Sequence, residues 1–189
     1  MSSLETSSKL RLRFLLGERL EKLLANYYVP PREGKLRRLP DRGRLIVGAD
    51  IHGNFEDFKA LTAHFIDALL ATGEAYMLLL GDAIHGVLKP ELDETGRTVL
   101  KPAYPDQSED VLDFLLDLRA LLGDRVLMLL GDHEHAHIGG PAIKKYGDDP
   151  AAIFMRRNAA NPKLARYLQF FRELPLVAKT QRGIMFSHS

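Results

Sequence analysis

VLMLLGDHEHAHIGG, from Val126 to Gly140, is an apolar run that ends abruptly in two acids and three histidines before a Gly-Gly-Pro stop. A short apolar stretch of this kind, closed by glycine, is the pattern of a buried strand. Its tip is where polar side chains first leave the core. The reading of the fold therefore turns on whether other strands end in the same way.

They do. RLIVGAD (Arg44–Asp50) runs into IHGN, AYMLLLGD (Ala75–Asp82) runs into AIHG, and GIMFSHS (Gly183–Ser189) carries His188 near its end. The first two, like the Val126 run, place an Asp at the end of an apolar stretch and a His one to three residues later. Six of the 7 histidines fall in these four tips. The remaining one, His64, sits on a predicted helix and reads as structural.

Helical patterns separate the runs. Phe58, Leu61, Phe65 and Leu69 mark one face of a helix from Phe55 to about Ala71, with Asn54 as its cap and Glu56 and Asp57 favouring its amino end. Ser108 caps a second helix through Val111, Leu112, Leu115, Leu118 and Leu122, stopped by Gly123. Asn161 and Pro162 start a third, which carries Leu164, Tyr167, Leu168 and Phe171. The stretch Gly86–Gln107, with Pro90, Gly96, Pro102 and Pro105, has no sustained period and reads as a surface excursion. Strands alternating with helices predict an α/β fold with mostly parallel neighbours, and such sheets bind ligands beyond the carboxyl ends of their strands.

Upstream, residues Ser8–Tyr28 read as an amphipathic helix and VPPREGKLRRLPDRG (Val29–Gly43) as a connector, giving an organisation of 1–43 and then a main domain over 44–189. The 189 residues are 46% hydrophobic and 27% charged, the balance of a globular chain. A net charge of +1 gives no reason to expect nucleic acid as a partner. With no secretory leader and no run of about eighteen apolar residues, the expectation is a cytoplasmic protein that makes no use of a membrane. Zero cysteines exclude disulfides, thiolate nucleophiles, iron–sulfur clusters and cysteine-based zinc sites. Any metal must be held by oxygen and imidazole nitrogen.

The tips suit that chemistry. Asp50 and His52 are two residues apart, so on an extended segment both side chains leave from one side. Clustered carboxylates such as Asp82 and Asp132 repel one another and resist burial unless a cation joins them. Mixed carboxylate and imidazole ligands suit manganese, iron or zinc better than calcium or magnesium.

DIHGN, GDAIH, GDHEH and FSHS together resemble the calcineurin-like metallophosphoesterases, whose pattern is D-x-H, G-D-x-x-D, G-N-H-[ED], a strand-end His and G-H-x-H. The match runs from about Leu45 to the last residue and leans toward the phosphoprotein phosphatase branch. The resemblance implies a layered β-sandwich flanked by helices, of which this chain supplies the amino-terminal half. It implies two divalent ions, with Asp50 and His52 on the first, Asp82 bridging, and Asp132 and His188 on the second. It also implies that His133 acts as general acid or charge stabiliser while metal-activated hydroxide attacks a phosphomonoester. The substrate would be a phosphorylated small molecule or a phosphoprotein, and His85, Glu134 and Asn54 would stand around the site or touch substrate.

Three departures from the pattern stand out. Asp132 replaces the usual Asn, His85 replaces the Asp that orients the catalytic histidine, and Gly86 replaces the Arg of phosphoprotein phosphatases. An imidazole cannot act as that carboxylate, and His85 could instead hydrogen-bond His133, contact phosphate or ligate metal. Arg156 and Arg157, or Arg42 and Arg44, are the stand-ins available for that Arg. G-H-x-H is missing, so the domain reads as incomplete at its carboxyl end. Two rival readings remain: a metal- or phosphate-binding module with weakened catalysis, and a zinc protease using H-E-x-x-H at His133–His137. The latter needs a helix, whereas the five residues follow a strand and precede a breaker. His135 and His137 read as exposed loop residues.

Overall fold

The computed structural model describes residues 32–144 and 149–188. The predicted helix over Ser8–Tyr28 lies outside them. At the centre is a parallel sheet of β3 (Arg44–Gly48), β4 (Ala75–Leu79) and β7 (Val126–Met128), with β4 in the middle and buried along its whole length. These are the three apolar runs that end in Asp. Because neighbouring strands point the same way, all three acidic tips emerge at one edge.

Side-chain alternation divides this sheet's two faces. Ile46, Met77, Leu79, Val126 and Met128 pack against Phe58 and Phe65 of α1 (Phe55–Thr72) and Leu112 and Leu115 of α2 (Ser108–Leu122). Leu45, Leu78 and Leu127, which alternate with them, join Leu39, Ala178 and Phe186 in a second cluster. Those last three residues belong to another sheet, ordered β1 (Arg32–Glu33), β2 (Leu36–Leu39), β8 (Val177–Thr180) and β9 (Met185–Ser187).

This second sheet corrects the sequence reading twice. The Val29–Gly43 connector contains β2, which pairs in parallel with β8, Leu36 opposite Val177 and Leu39 opposite Thr180. Its prolines and charges hid an alternation in which Arg37 and Leu39 are buried. Meanwhile β9, the GIMFSHS strand, runs antiparallel to β8 and does not extend the parallel sheet.

The Gly86–Gln107 excursion is a hairpin, β5 (Leu88–Leu92) paired antiparallel with β6 (Thr98–Pro102). Its two strands form a separate sheet, where a proline costs no bond of the central ladder. A short helix, α3 (Asp132–His135), follows β7 directly. Next come α4 (Pro150–Arg157), which periodicity did not reveal, and α5 (Leu164–Glu173). Asp149 caps α4 by accepting from the Ala152 amide. No helix among the described residues is long and apolar enough to cross a membrane.

Candidate metal centre

Among the described residues the only non-glycine positions with φ between +48° and +67° are Asp50, His52, Asp82 and His85. Left-handed backbone is costly for residues with a Cβ and concentrates where geometry serves a site. Here the surroundings hold it in place. The His52 amide donates to the Asp82 carbonyl at 2.8 Å, and the Gly53 amide to the Ala83 carbonyl at 2.9 Å, so the β3 and β4 tips are laced together. The His85 amide donates to the Ser108 hydroxyl at 2.8 Å, which in turn donates to Asp106. Ser108 was expected to cap α2; its hydroxyl serves the site's loop instead.

Glycine precedes Asp82 and Asp132 for a steric reason. A Cβ on Gly131 would overlap the Asp82 amide and carboxylate, and one on Gly81 would stand 2.6 Å from the Gly131 Cα. The two tips are as close as backbone allows.

Between them lies a cluster centred on Asp82. Its Oδ2 is 3.8 Å from His52 Nε2 and 3.9 Å from His133 Nε2. Its Oδ1 is 3.6 Å from His188 Nε2, which is itself 3.4 Å from Asp132 Oδ1. Asp50 Oδ1 is 3.8 Å from His52 Nε2. Asp82 and His133 form a buried floor, with side chains 6% and 2% exposed, while Asp50 and Asp132 stand at an open rim at 59% and 60%. The gaps of 3.4–3.9 Å are too long for good hydrogen bonds. They match the separation of two ligands that each lie about 2.0–2.2 Å from one cation.

Two groups could hold a metal ion: His52, Asp82 and His133, and Asp82, Asp132 and His188. Asp82 belongs to both, and Asp50 stands beside His52 outside both. The donor chemistry fits. His52 Nδ1 faces the Ile84 carbonyl at 3.3 Å and His188 Nδ1 faces the Leu80 carbonyl at 3.1 Å. A carbonyl can only accept, so each Nδ1 carries the proton and each Nε2 turns its lone pair inward. That is the tautomer of a metal-ligating imidazole. The carboxylates are correspondingly uncompensated. Burial pushes Asp82 up to about 6 against the lowering effect of the His133 amide, and Asp132 adds to the rise.

Glu134 is fully buried and reaches no cleft. Its carboxylate accepts from the amides of Asp82 at 2.9 Å, Ala83 at 2.9 Å and Gly131 at 3.2 Å, fastening the β4 tip to the β7 tip. Asn54 caps α1, accepting from the Asp57 amide at 3.2 Å. The side-chain oxygens of both residues are taken up by backbone amides. H-E-x-x-H is likewise not assembled as a protease site, because His133 and His137 do not converge on one point. His85 lies between them.

A hydrogen bond from His85 to His133 was one reading of that substitution; its continuation to His137 is what the sequence did not foretell. His85 Nδ1 is 2.7 Å from His133 Nδ1, and His85 Nε2 is 2.9 Å from His137 Nε2, forming a row of three imidazoles. His137 was expected in an exposed loop. It is instead half-buried against Phe154, and its Nδ1 has no hydrogen-bond partner among the described residues. The only sequence signal was its spacing of four from His133. Arg157 does not stand in for a phosphate clamp, since its guanidinium is engaged by Asp106 and Glu109. Arg42 is likewise turned to Glu74.

The fold is shared with a phosphatase. The chain matches the structure of a protein serine/threonine phosphatase from Saccharomyces cerevisiae with similarity to human phosphatase PP5, with a TM-score of 0.53 and 16% identity. All of this chain is covered and 54% of that one, so it spans about half the length of the phosphatase chain. No family model and no curated protein matches.

His85 makes folding sensitive to acid. Burial first, and then the neighbouring His133 and His137, hold its imidazole down to about 2 from the usual 6.5. Because the folded pKa is depressed, the unfolded chain binds the extra proton between these values. The contribution of His85 is therefore intact above about 6.5 and lost as pH falls below it. In metal-free protein, the unfolding free energy of wild type relative to His85→Gln should drop toward about 1.4 kcal/mol per pH unit below that point. Denaturant titrations of the two proteins from neutral pH to pH 5 check this, and parallel curves would refute it.

Proposed function

We propose that this chain belongs to a metal-dependent phosphoesterase that hydrolyses phosphomonoesters at the Asp82 cleft, within the layered β-sandwich of the calcineurin-like family. The observation that carries this reading is the meeting of His52, Asp82, Asp132 and His188 at one edge, their nitrogens and oxygens spaced as ligands rather than as hydrogen-bond partners, with His133 beside them. The fold it shares with a serine/threonine phosphatase supports the same reading.

His52, Asp82 and Asp50 on one side, and Asp82, Asp132 and His188 on the other, would hold two divalent ions of manganese, iron or zinc. When bound, such ions offset the carboxylate and phosphoryl charge and acidify a water so that it can attack phosphorus in line. The chain's own part is to keep the donors at hand, leave the rim open to substrate and hold an N–H at the leaving oxygen.

His133 is the hydrogen-bond donor to the leaving oxygen in this scheme and stabilises its developing charge. Each nitrogen–nitrogen contact in the imidazole row holds one proton, so the row has two possible polarities. Leaving a lone pair rather than an N–H on the partnerless Nδ1 of His137 avoids an orphaned buried donor. That polarity has His137 Nε2 donate to His85, and His85 Nδ1 donate to His133. The proton of His133 is then on Nε2, facing Asp82. Positioning by His85 and His137 replaces what the family obtains from a carboxylate.

The test is metal analysis with metal-dependent phenyl phosphate hydrolysis, wild type beside His133→Ala. Removing this donor should lower turnover by about 10²–10³-fold with metal still bound. Loss of metal together with activity would make His133 a ligand instead. Metal uptake without turnover in the wild-type protein would favour the weakened binding module, and a longer chain carrying G-H-x-H would then be the form to assay.

A further inference from the structure

Beside His133 lies a cavity of about 160 Å³ whose apolar walls are Val87, Leu88, Pro102, Pro150, Ile153 and Phe154. His133 and His85 also line it, so a leaving oxygen that His133 serves would stand beside it. From the phosphoesterase reading and this continuity, we infer that the cavity is a leaving-group subsite for a single aromatic ring, the phenolic part of an aryl phosphate monoester.

Size agrees: an apolar cavity of about 150 Å³ suffices for benzene. Phe154 adds an aromatic wall for edge-to-face contact, as it already makes with His137 at 5.1 Å. Charge agrees as well. The pocket's one guanidinium, Arg157, donates to two carboxylates, Asp106 and Glu109, so the mouth carries an excess of negative charge. A second phosphate or an acidic side chain beyond the scissile ester would be repelled. Gly86 contributes no side chain, and Val87 and Ile153 present apolar surface at 37% and 41% exposure that nothing else in the described chain covers. Apolar surface left open beside a charged cluster favours a ligand with a charged head and an apolar body.

The experiment compares dissociation constants of phenylphosphonate and methylphosphonate, neither of which can be hydrolysed at a P–O ester bond, on metal-loaded protein. Phenylphosphonate should bind about tenfold or more tightly than methylphosphonate. Ile153→Asp and Val87→Asp, chosen because both side chains are partly exposed and can change without opening the core, should bring that ratio close to one. Equal affinities in the wild type, or a ratio untouched in both variants, would overturn the subsite. Should neither phosphonate bind, the phosphoesterase reading fails, and phenol alone decides the cavity: shifts of the Val87 and Ile153 methyl resonances keep it, and their absence removes it. The two sources of a phenolic phosphate separate by turnover. A tyrosine-phosphorylated peptide matching phenyl phosphate points to protein, and phenyl phosphate alone points to a small molecule. Preference for a serine-phosphorylated peptide over both would sink the inference.

Discussion

Asp82→Asn is expected to remove stoichiometric metal binding and to lower phosphoesterase turnover by about a thousandfold or more, the several kcal/mol that such an ion contributes to a phosphoryl-transfer transition state. The reason is positional. One carboxylate oxygen faces His52 and His133 and the other faces His188, so Asp82 is the sole residue common to both metal-capable groups. An amide offers one oxygen and places an NH₂ where the second ligand atom should be. The same change should leave the metal-free protein as stable as wild type or more so. Burial holds Asp82 well above the ordinary carboxylate range, and its oxygen that accepts the His133 amide survives in Asn. Metal analysis, hydrolysis and a denaturant titration on one preparation are enough to read all three effects. Wild-type turnover in Asp82→Asn would defeat the bridging role.

Glu134→Ala should be the most destabilising single change at the site although Glu134 touches no cleft. Its carboxylate satisfies the amides of Asp82, Ala83 and Gly131 inside the protein. Alanine orphans all three, at about 1–3 kcal/mol for each buried donor, so a loss on the order of 4 kcal/mol and a fall in melting temperature of about 10 °C or more are expected. Glu134→Gln keeps one acceptor oxygen and should lie between the two. Burial first, with Asp82 adding, pushes the Glu134 carboxyl up to about 7. Hence the folded state holds an extra proton between about 4.5 and 7, and this group's contribution weakens as pH rises through that window. The Gln variant should lack that slope. Melting curves of the three proteins over pH 5–8 check both statements, and a wild-type melting temperature in Glu134→Ala would refute the first.

The parallel sheet and the placement of Asp50, Asp82 and Asp132 at one edge were legible because both rest on local pattern. A run such as AYMLLL is buried on both faces wherever it is placed. The Asp after Gly81 is then the first residue able to leave the core, and parallel neighbours bring such ends together. What the residues could not disclose depends on partners far along the chain. Leu36–Leu39 became a strand only by pairing with Val177–Thr180, so its charged neighbours looked like a connector. Glu134 became a buried fastener only because three amides from two different strand tips point at it.

The histidine row shows the same division. From the motif alone, His85 had three possible partners, His133, phosphate or metal, and His137 read as a loop residue. Tertiary structure alone sets His85 between His133 and His137, 48 and 52 residues away along the chain, and so gives His133 an orienting partner. By itself the sequence determined which chemical groups stand at the ends of buried strands, since hydrophobic burial acts residue by residue. Only the fold decided which of those groups touch and where their protons reside, because a hydrogen bond needs ångström-scale proximity between segments that local pattern does not relate.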